Sequence, residues 1–326
     1  MKTRQDNFNR IKLHQIRTQH GENFLISIIG SGKVGSAVAF LAASTSLDDI
    51  VMVNRTKTKA IGESLDITNA IPEGSSISVT GTDDFSLTKN SDVVIIAASA
   101  AGYTQNRTEM IGEQVKMIKD IAKKIKTNTP DSKILVVSNP LDVLTYVFLK
   151  ESGFPRKQVV GVASSLDSSR FRYLLAKEFA VSQSEIKDAM VLGEHGDSMV
   201  PIFSRAKKNR KPVSESLEAI QIEQITTNLR NYWKTLREFK SRSVFGIAKN
   251  TFDIVESMIK EKNISVPASV LLNGEYGLSD VCLGVPTKLS KNGLEKIDEI
   301  KLEESELNAL HKSAKIIKNY ILTATI

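Results

Sequence analysis

Cysteine is nearly absent from the 326-residue chain, which contains one, Cys282. A single cysteine excludes a disulfide framework and any zinc site built on paired cysteines. Histidine is also scarce, and the positions of His14, His20 and His311 do not have metal-ligand spacing, so we predict no metal. No apolar run, residues 93–98 included, comes near the roughly 20 residues of a membrane helix. Low cysteine usage is typical of a reducing compartment, and we expect a cytoplasmic protein.

Basic residues slightly outnumber acidic ones. The chain has 44 Lys and Arg against 37 Asp and Glu, which gives a net charge of +7. Two stretches account for all of it, because residues 1–23 carry +3 and residues 205–211 carry +5. The rest of the chain is near neutral and has no broad basic face. We therefore expect no nucleic acid and no membrane as partners. The basic residues 1–23 lack the apolar core of a secretory signal and are predicted to be a disordered tail.

Hydrophobic residues make up 41% of the chain, which is ordinary for a globular protein, and the length suits two domains. In residues 24–163, short apolar strands alternate with amphipathic helices. This rhythm predicts an α/β fold, a Rossmann-type doubly wound parallel sheet. Residues 164–326 lose the alternation and indicate a mixed α+β substrate domain. The helices predicted there cover residues 168–179, 216–239, 246–260 and 303–322, and the strands cover residues 189–192, 269–272 and 280–285.

A glycine-rich turn follows the first predicted strand. Gly30, Gly32 and Gly35 form the G-x-G-x-x-G pattern between that strand and a predicted helix at residues 34–41. In this context the glycines allow a tight turn and a close approach of backbone N–H groups to a pyrophosphate. We predict a dinucleotide site here that also includes Lys33 and Val34.

The end of the second predicted strand, where NAD enzymes carry a carboxylate for the ribose hydroxyls, contains Asn54, Arg55 and Thr56 instead. Without a carboxylate there is no repulsion of a 2′-phosphate, and Arg55 provides a cation to pair with one. We predict that NADP is used at least as well as NAD. The alternative is a surface turn with a helix cap at Thr56.

Three later motifs resemble those of the L-lactate/L-malate dehydrogenase family. They are the segments Ser138–Asp142, Leu166–Arg170 and Gly193–Ser198. The resemblance covers residues 24–325 and is strongest to prokaryotic lactate-dehydrogenase-like malate dehydrogenases. It implies a homo-oligomer, a dimer or a tetramer, that transfers hydride between NAD(P)H and a small 2-keto acid.

Chemistry and resemblance together suggest roles for three residues. Reduction of a 2-keto acid needs a proton donor near neutral pH, and His195 in the Gly-Glu-His-Gly-Asp pattern matches the family's donor. Asp167 matches the carboxylate that orients the imidazole and favours its protonated form, although alone it could be a helix N-cap. Arg170 lies one helical turn further on and matches the arginine that binds the substrate carboxylate as a two-pronged fork.

The resemblance implies three further substrate contacts. Arg107 matches the lid arginine that polarises the carbonyl, and Asn139 matches an asparagine near the nicotinamide ribose and the reacting carbonyl. Ser243 matches a small or hydroxyl residue beside the substrate. Considered alone, Asn139 could equally be a turn residue before a proline.

The substrate is harder to predict. The motifs around Asp167 and His195 resemble those of malate dehydrogenases and favour oxaloacetate and L-malate, substrates of the tricarboxylic acid cycle. The lid, however, contains Ala101 or Gly102 where malate enzymes have an arginine and lactate enzymes a glutamine. We suggest that Arg242 supplies the missing charge. The alternatives are an L-lactate or broader L-2-hydroxy acid dehydrogenase and, more remotely, a non-catalytic nucleotide-binding regulator.

Overall fold

The computed structural model describes residues 24–100 and 111–325. The predicted tail, Arg107 and the lid positions Ala101 and Gly102 lie outside these residues. The helices are α1 (Lys33–Ser44), α2 (Lys57–Thr68), α3 (Ile111–Asn128), α4 (Leu141–Ser152), α5 (Ser164–Glu178), α6 (Ala219–Phe239), α7 (Phe245–Ile259) and α8 (Glu304–Thr325).

Six strands form the parallel part of the main sheet, in the spatial order β3-β2-β1-β4-β5-β6. They are β1 (Leu25–Ile29), β2 (Asp49–Val53), β3 (Val79–Thr82), β4 (Val93–Ile96), β5 (Lys133–Val136) and β6 (Val159–Gly161). Every residue of β1, β2 and β4 is buried, because helices cover both faces of the sheet. This is the predicted doubly wound order, with the switch point between β1 and β4.

Three antiparallel strands extend the same sheet beyond β6. They are β12 (Ile264–Asn273), β13 (Ser279–Ser290) and β14 (Gly293–Ile297), and β12 pairs with β6 through Ser269 and Gly161. The sequence predicts strands at residues 269–272 and 280–285 but not their pairing with the first half, nor β14. The predicted boundary at residues 163 and 164 lies between β6 and α5, and it stays a prediction.

Short strands and a second core occupy the far end of the molecule. The strands are β7 (Ile186–Lys187), β8 (Val191–Leu192), β9 (Val200–Pro201), β10 (Lys207–Lys208) and β11 (Lys211–Pro212). The main core contains buried side chains of both halves, from Ile26 in β1 to Leu310 in α8. The smaller core joins Phe171 of α5 to Leu229 of α6. Helix α5 contributes to both cores and links them.

Candidate active site

The glycine turn between β1 and α1 has the geometry of a phosphate loop. Gly30 has a φ of +108°, and a Cβ there would lie 2.7 Å from the carbonyl oxygen of Ala97. A Cβ on Gly35 would lie 2.0 Å from the carbonyl oxygen of Gly30. A Cβ on Gly32 would instead meet no described atom within 4 Å. The first and third glycines are thus required by the fold, whereas Gly32 faces space that the described residues leave open.

Around this loop, Val34 lines the adjoining cavity and the ammonium of Lys33 donates to Oγ of Ser241 at 3.3 Å. At the end of β2, the side-chain amide of Asn54 donates to Oγ of Ser31 at 2.9 Å. Its Oδ1 accepts the N–H of Thr56 at 3.0 Å. Asn54 therefore ties the β2–α2 turn to the phosphate loop.

The two neighbours of Asn54 differ in their contacts. The guanidinium of Arg55 is exposed and donates to the carbonyl of Ala100 at 3.0 Å. Thr56 is the N-cap residue of α2, but its side chain makes no capping hydrogen bond. Thr56 thus occupies the suggested cap position without a side-chain capping bond, and its own N–H is bound by the side chain of Asn54.

His195, Asp167 and Arg170 meet at one point. Nδ1 of His195 lies 2.6 Å from Oδ2 of Asp167, whose Oδ1 accepts a hydrogen bond from Nη1 of Arg170 at 3.1 Å. The side chain of Asp167 is 1% exposed, so His195 and Arg170 bind it where water has almost no access. The suggested N-cap role is wrong, because α5 begins at Ser164 with Ala163 as its N-cap residue. Asp167 and Arg170 instead share one face of the first turns of α5.

The titration of Asp167 reflects two opposing effects. Burial raises the pKa of this carboxyl group, but the charge and hydrogen bond of His195 lower it, as does Arg170. The net pKa lies below the usual value, so Asp167 is ionised near neutral pH. An ionised carboxylate at this distance from Nδ1 fixes the orientation of the imidazole.

A second buried carboxylate holds the backbone of the same histidine, and the sequence motifs assigned it no role. Oδ2 of Asp142, in α4, accepts the N–H of His195 at 2.8 Å, and its Oδ1 accepts the hydroxyl of Ser269 at 2.6 Å. Burial raises the pKa of Asp142 to about 6, against the lowering effect of these hydrogen bonds. Asp142 lies in the segment Ser138–Asp142 that resembles the family, but its partners His195 and Ser269 are far along the chain.

A cavity of about 150 Å³ opens beside the imidazole. Asn139, Arg170, His195 and Ser243 line it together with Val34, so five of the predicted site residues share one space. Its other charged lining residues are Arg237 and Arg242, and no Asp or Glu is among the described residues that line it. Arg237 was missed by sequence reasoning. The available signal was the helical spacing that places Arg237 four residues after Trp233.

A second cavity of about 250 Å³ lies on the other side of His195. Its lining includes Asn139, Asp142, Trp233 and Tyr320. The two cavities share four lining residues, which are Asn139, His195, Gly196 and Trp233. Across residues 24–100 and 111–325, no group of three His, Cys, Asp or Glu side chains could hold a metal ion. In those same ranges no helix is long and apolar enough to cross a membrane.

Comparison with known proteins places this chain among 2-hydroxy acid dehydrogenases. The family model for the lactate/malate dehydrogenase NAD binding domain matches residues 24–161, and that for the lactate/malate dehydrogenase alpha/beta C-terminal domain matches residues 164–325. The chain therefore belongs to the lactate/malate dehydrogenase family. It is an NAD-dependent oxidoreductase with an NAD-binding Rossmann domain.

Individual relatives carry both family names. The malate dehydrogenase of Staphylococcus saprophyticus is 36% identical over 299 residues, which are 90% of this chain and 96% of the relative. Among solved structures, the lactate dehydrogenase of Cryptosporidium parvum, complexed with lactic acid and nicotinamide adenine dinucleotide, has a TM-score of 0.90 and 32% identity. The match covers 94% of this chain and 99% of the lactate dehydrogenase chain. The malate dehydrogenase of Salinibacter ruber has a TM-score of 0.85 and 31% identity. The match covers 91% of this chain and 96% of that enzyme's chain.

Proposed function

We propose that the enzyme is a malate dehydrogenase that interconverts oxaloacetate and L-malate. The observation that carries this proposal is the cavity beside His195, which three arginines line without an acidic residue among the described lining residues. One guanidinium fork suffices for a monocarboxylate such as pyruvate. A dicarboxylate needs a second cation, and Arg237 and Arg242 are the candidates. The curated relatives named malate dehydrogenase support the same substrate.

Each site residue then has a definable task. The glycine turn with Gly32 would hold the dinucleotide, which would supply or accept the hydride when bound. Arg170 binds the C1 carboxylate of the substrate, and Asp167 keeps both Arg170 and His195 in place. His195 donates a proton to the carbonyl oxygen during reduction and removes it during oxidation. Asn139 and Ser243 complete the wall around the substrate. The task proposed for Arg107, which lies outside the described residues, is to polarise the carbonyl.

The test compares kcat/KM for oxaloacetate, pyruvate and 2-ketoisocaproate with the same cofactor. We expect oxaloacetate to have the largest value. A larger value for pyruvate or 2-ketoisocaproate would identify a lactate or broader 2-hydroxy acid dehydrogenase instead. His195→Asn is the control for catalysis, since a regulator that only binds nucleotide would keep its biological activity in that variant.

The cofactor proposal is that NADP is used at least as well as NAD. It is supported by the missing carboxylate at the end of β2 and by the exposed guanidinium of Arg55. A charge-assisted hydrogen bond contributes about 1.5–3 kcal/mol, so one contact to a 2′-phosphate changes the preference roughly ten- to a hundred-fold. Asn54→Asp should restore a preference for NADH, and Arg55→Ala should weaken NADPH more than NADH. A wild-type preference for NADH above about a hundred-fold in kcat/KM would refute the proposal.

We also propose a homo-oligomer of the cytoplasm. Large apolar side chains are exposed on α1 and α2, where Phe40 is 49% and Leu65 is 63% exposed. Such side chains are typical of a surface covered by another subunit. Light scattering on the purified chain distinguishes a monomer from a dimer or a tetramer. Fractionation of the source cells tests the location.

A further inference from the structure

Three consecutive N–H groups of the histidine loop, residues 193–198, are held by three different elements. The N–H of Gly193 donates to a carbonyl of β13 at 2.9 Å, and that of His195 donates to Asp142 of α4 at 2.8 Å. Between them, the N–H of Glu194 donates to Oγ of Ser313 in α8 at 2.8 Å. The backbone that carries the imidazole is thus fixed by β13, α4 and α8 together.

Ser313 reaches the histidine loop from a helix that the core holds in place. Its side chain is fully buried, and its neighbours on α8 in the main core include Leu310, Ala314 and Ile317. The approach is close, because a Cβ on Gly193 would lie 2.8 Å from Oγ of Ser313. Gly193, whose φ is +85°, therefore allows a contact that a larger residue would block.

The hydroxyl of Ser313 takes part in a closed chain of hydrogen bonds. Its oxygen accepts the N–H of Glu194 and lies 3.0 Å from Oγ of Ser198. The hydroxyl of Ser198 donates to Oε2 of Glu194, so the proton between the two serines comes from Ser313. The chain starts at the N–H of Glu194, passes through both serines and ends at the carboxylate of the same residue. It ties the two ends of the histidine loop to each other and to α8.

This use of a helical hydroxyl differs from the ordinary one. A serine inside a helix usually donates to a carbonyl of the preceding turn. Ser257, buried in α7, does so with the carbonyl of Ile254 at 2.9 Å. The proton of Ser313 goes instead to Ser198, so this hydroxyl serves the histidine loop and not its own helix.

We propose that Ser313 is a positioning residue for proton transfer by His195, because its hydroxyl fixes the histidine loop to α8. The proposal rests on the proposed role of His195 as proton donor. Arg170 stands on α5, and the glycine turn joins β1 to α1, so neither group belongs to the histidine loop. Loss of the Ser313 hydroxyl should therefore slow proton transfer and leave the binding of substrate and cofactor unchanged.

The experiment compares the wild type with Ser313→Ala, using the 2-keto acid that the wild type reduces best. Steady-state kinetics in H2O and in D2O gives kcat, the KM values and the solvent isotope effect. Ser313→Ala should lower kcat about tenfold, since a misplacement of about 1 Å at the reacting groups costs up to about a hundredfold. The solvent isotope effect on kcat should rise, because proton transfer becomes more nearly rate-limiting. Both KM values should stay within about twofold.

Two further variants serve as matched controls. Ser313→Cys keeps the approximate shape of the side chain but has only a weak donor and a weak acceptor, so it should behave like Ser313→Ala. Ser257→Ala removes a buried helical hydroxyl that is bonded to its own helix, and it should keep wild-type kinetics. Titration with the cofactor counts the folded sites in each preparation, so that kcat refers to folded enzyme only.

Several results would overturn the role of Ser313 and leave that of His195 standing. They are a fall in kcat of less than about twofold in Ser313→Ala, a larger fall with an unchanged isotope effect, wild-type kinetics in Ser313→Cys, and an equal loss in Ser257→Ala. If Ser313→Ala does not fold, Ser198→Ala breaks the same chain at a half-buried position, and the same changes are expected of it. A His195→Asn variant with wild-type kcat would overturn the proposed role of His195, and that of Ser313 with it.

Discussion

Two buried carboxylates hold His195, Asp167 at the imidazole and Asp142 at the backbone N–H, and their other partners make them titrate differently. Asp167 has cationic partners, so its pKa ends below the usual value after burial has raised it. Asp142 has a backbone N–H and a hydroxyl as partners, and burial raises its pKa to about 6. One group therefore stays charged near neutral pH, while the other changes its protonation in mildly acidic solution.

Asp142 should make the protein less stable as the pH rises from about 4 to 6. Below the unfolded pKa of 3.8, both states hold the proton. Between 3.8 and about 6 only the folded state keeps it, so the free energy of unfolding falls with rising pH, by at most about 3 kcal/mol. Urea unfolding of wild type and Asp142→Asn from pH 4 to 7 measures the two slopes. Asp48, whose pKa burial also raises to about 6, is present in both proteins and cancels.

We expect a shallower fall of stability with pH in Asp142→Asn than in the wild type. Equal slopes would mean that Asp142 titrates alike in the folded and unfolded states. The absolute stability of the variant is a poorer measure, because an asparagine amide cannot accept both hydrogen bonds that the carboxylate accepts.

Asp167→Asn should lower kcat for oxaloacetate reduction by about 10²–10⁴, a typical range for loss of assisted proton transfer. Asparagine keeps the shape of the side chain but not the negative charge beside Nδ1 of His195. Steady-state kinetics at neutral pH measures the effect, and circular dichroism shows whether the variant folds. Full activity in a folded variant would mean that His195 needs no anionic partner.

Asp167 has the opposite effect on stability to Asp142. Its folded pKa is lowered, so its stabilising contribution is present above the unfolded value of 3.8 and is lost as the pH falls through the folded pKa. Asp142 thus contributes most to the stability of the fold at low pH, and Asp167 contributes above its unfolded pKa of 3.8.

Among the secondary-structure elements, the β1–α1 turn offers a matched pair of variants. Gly35→Ala places a methyl group 2.0 Å from the carbonyl oxygen of Gly30, so the turn must shift and the melting temperature should fall. Gly32→Ala meets no described atom within 4 Å and should keep the melting temperature. Its methyl group instead occupies the space proposed for the pyrophosphate, so the KM for the cofactor should rise.

Thermal unfolding and cofactor titration of both variants test this separation. A Gly32→Ala variant with unchanged cofactor KM would place the dinucleotide elsewhere. A Gly35→Ala variant as stable as the wild type would mean that the turn accommodates a side chain without loss.

The parallel strands and the phosphate loop were predictable from sequence because their signals are local. Strand β1 is a continuous apolar run, as a strand buried on both faces requires, and the glycine pattern follows it directly. The pairing of β12 with β6 was not predictable, because it joins Gly161 to Ser269 across more than a hundred residues. The role of Asp142 was hidden for the same reason, since its partners His195 and Ser269 lie far along the chain.

For the whole molecule, the shared core predicts a single unfolding transition. The main core contains side chains of both halves, and α5 connects it to the smaller core. Trp233, the one tryptophan, lies on α6, which packs into the smaller core through Ile225 and Leu229. Its fluorescence therefore reports on the second half, whereas far-UV circular dichroism reports on all helices and strands.

The two signals should change at the same denaturant concentration. A tryptophan transition that precedes the circular dichroism transition would show that the smaller core unfolds on its own. Cofactor added at saturation should shift both transitions together, because binding to the folded state stabilises every part that unfolds with it.

The continuous sheet has a consequence for substitutions near the carboxyl end of α6. The loop with His195 is bonded to β13 through reciprocal hydrogen bonds between Gly193 and Gly284, and Asp142 ties it to α4. The reacting groups are thus fixed to the scaffold, whereas Trp233 and Arg237 stand on the last turns of a helix with few buried side chains. Substitutions in those turns are therefore expected to leave the hydrogen bonds that hold His195 intact.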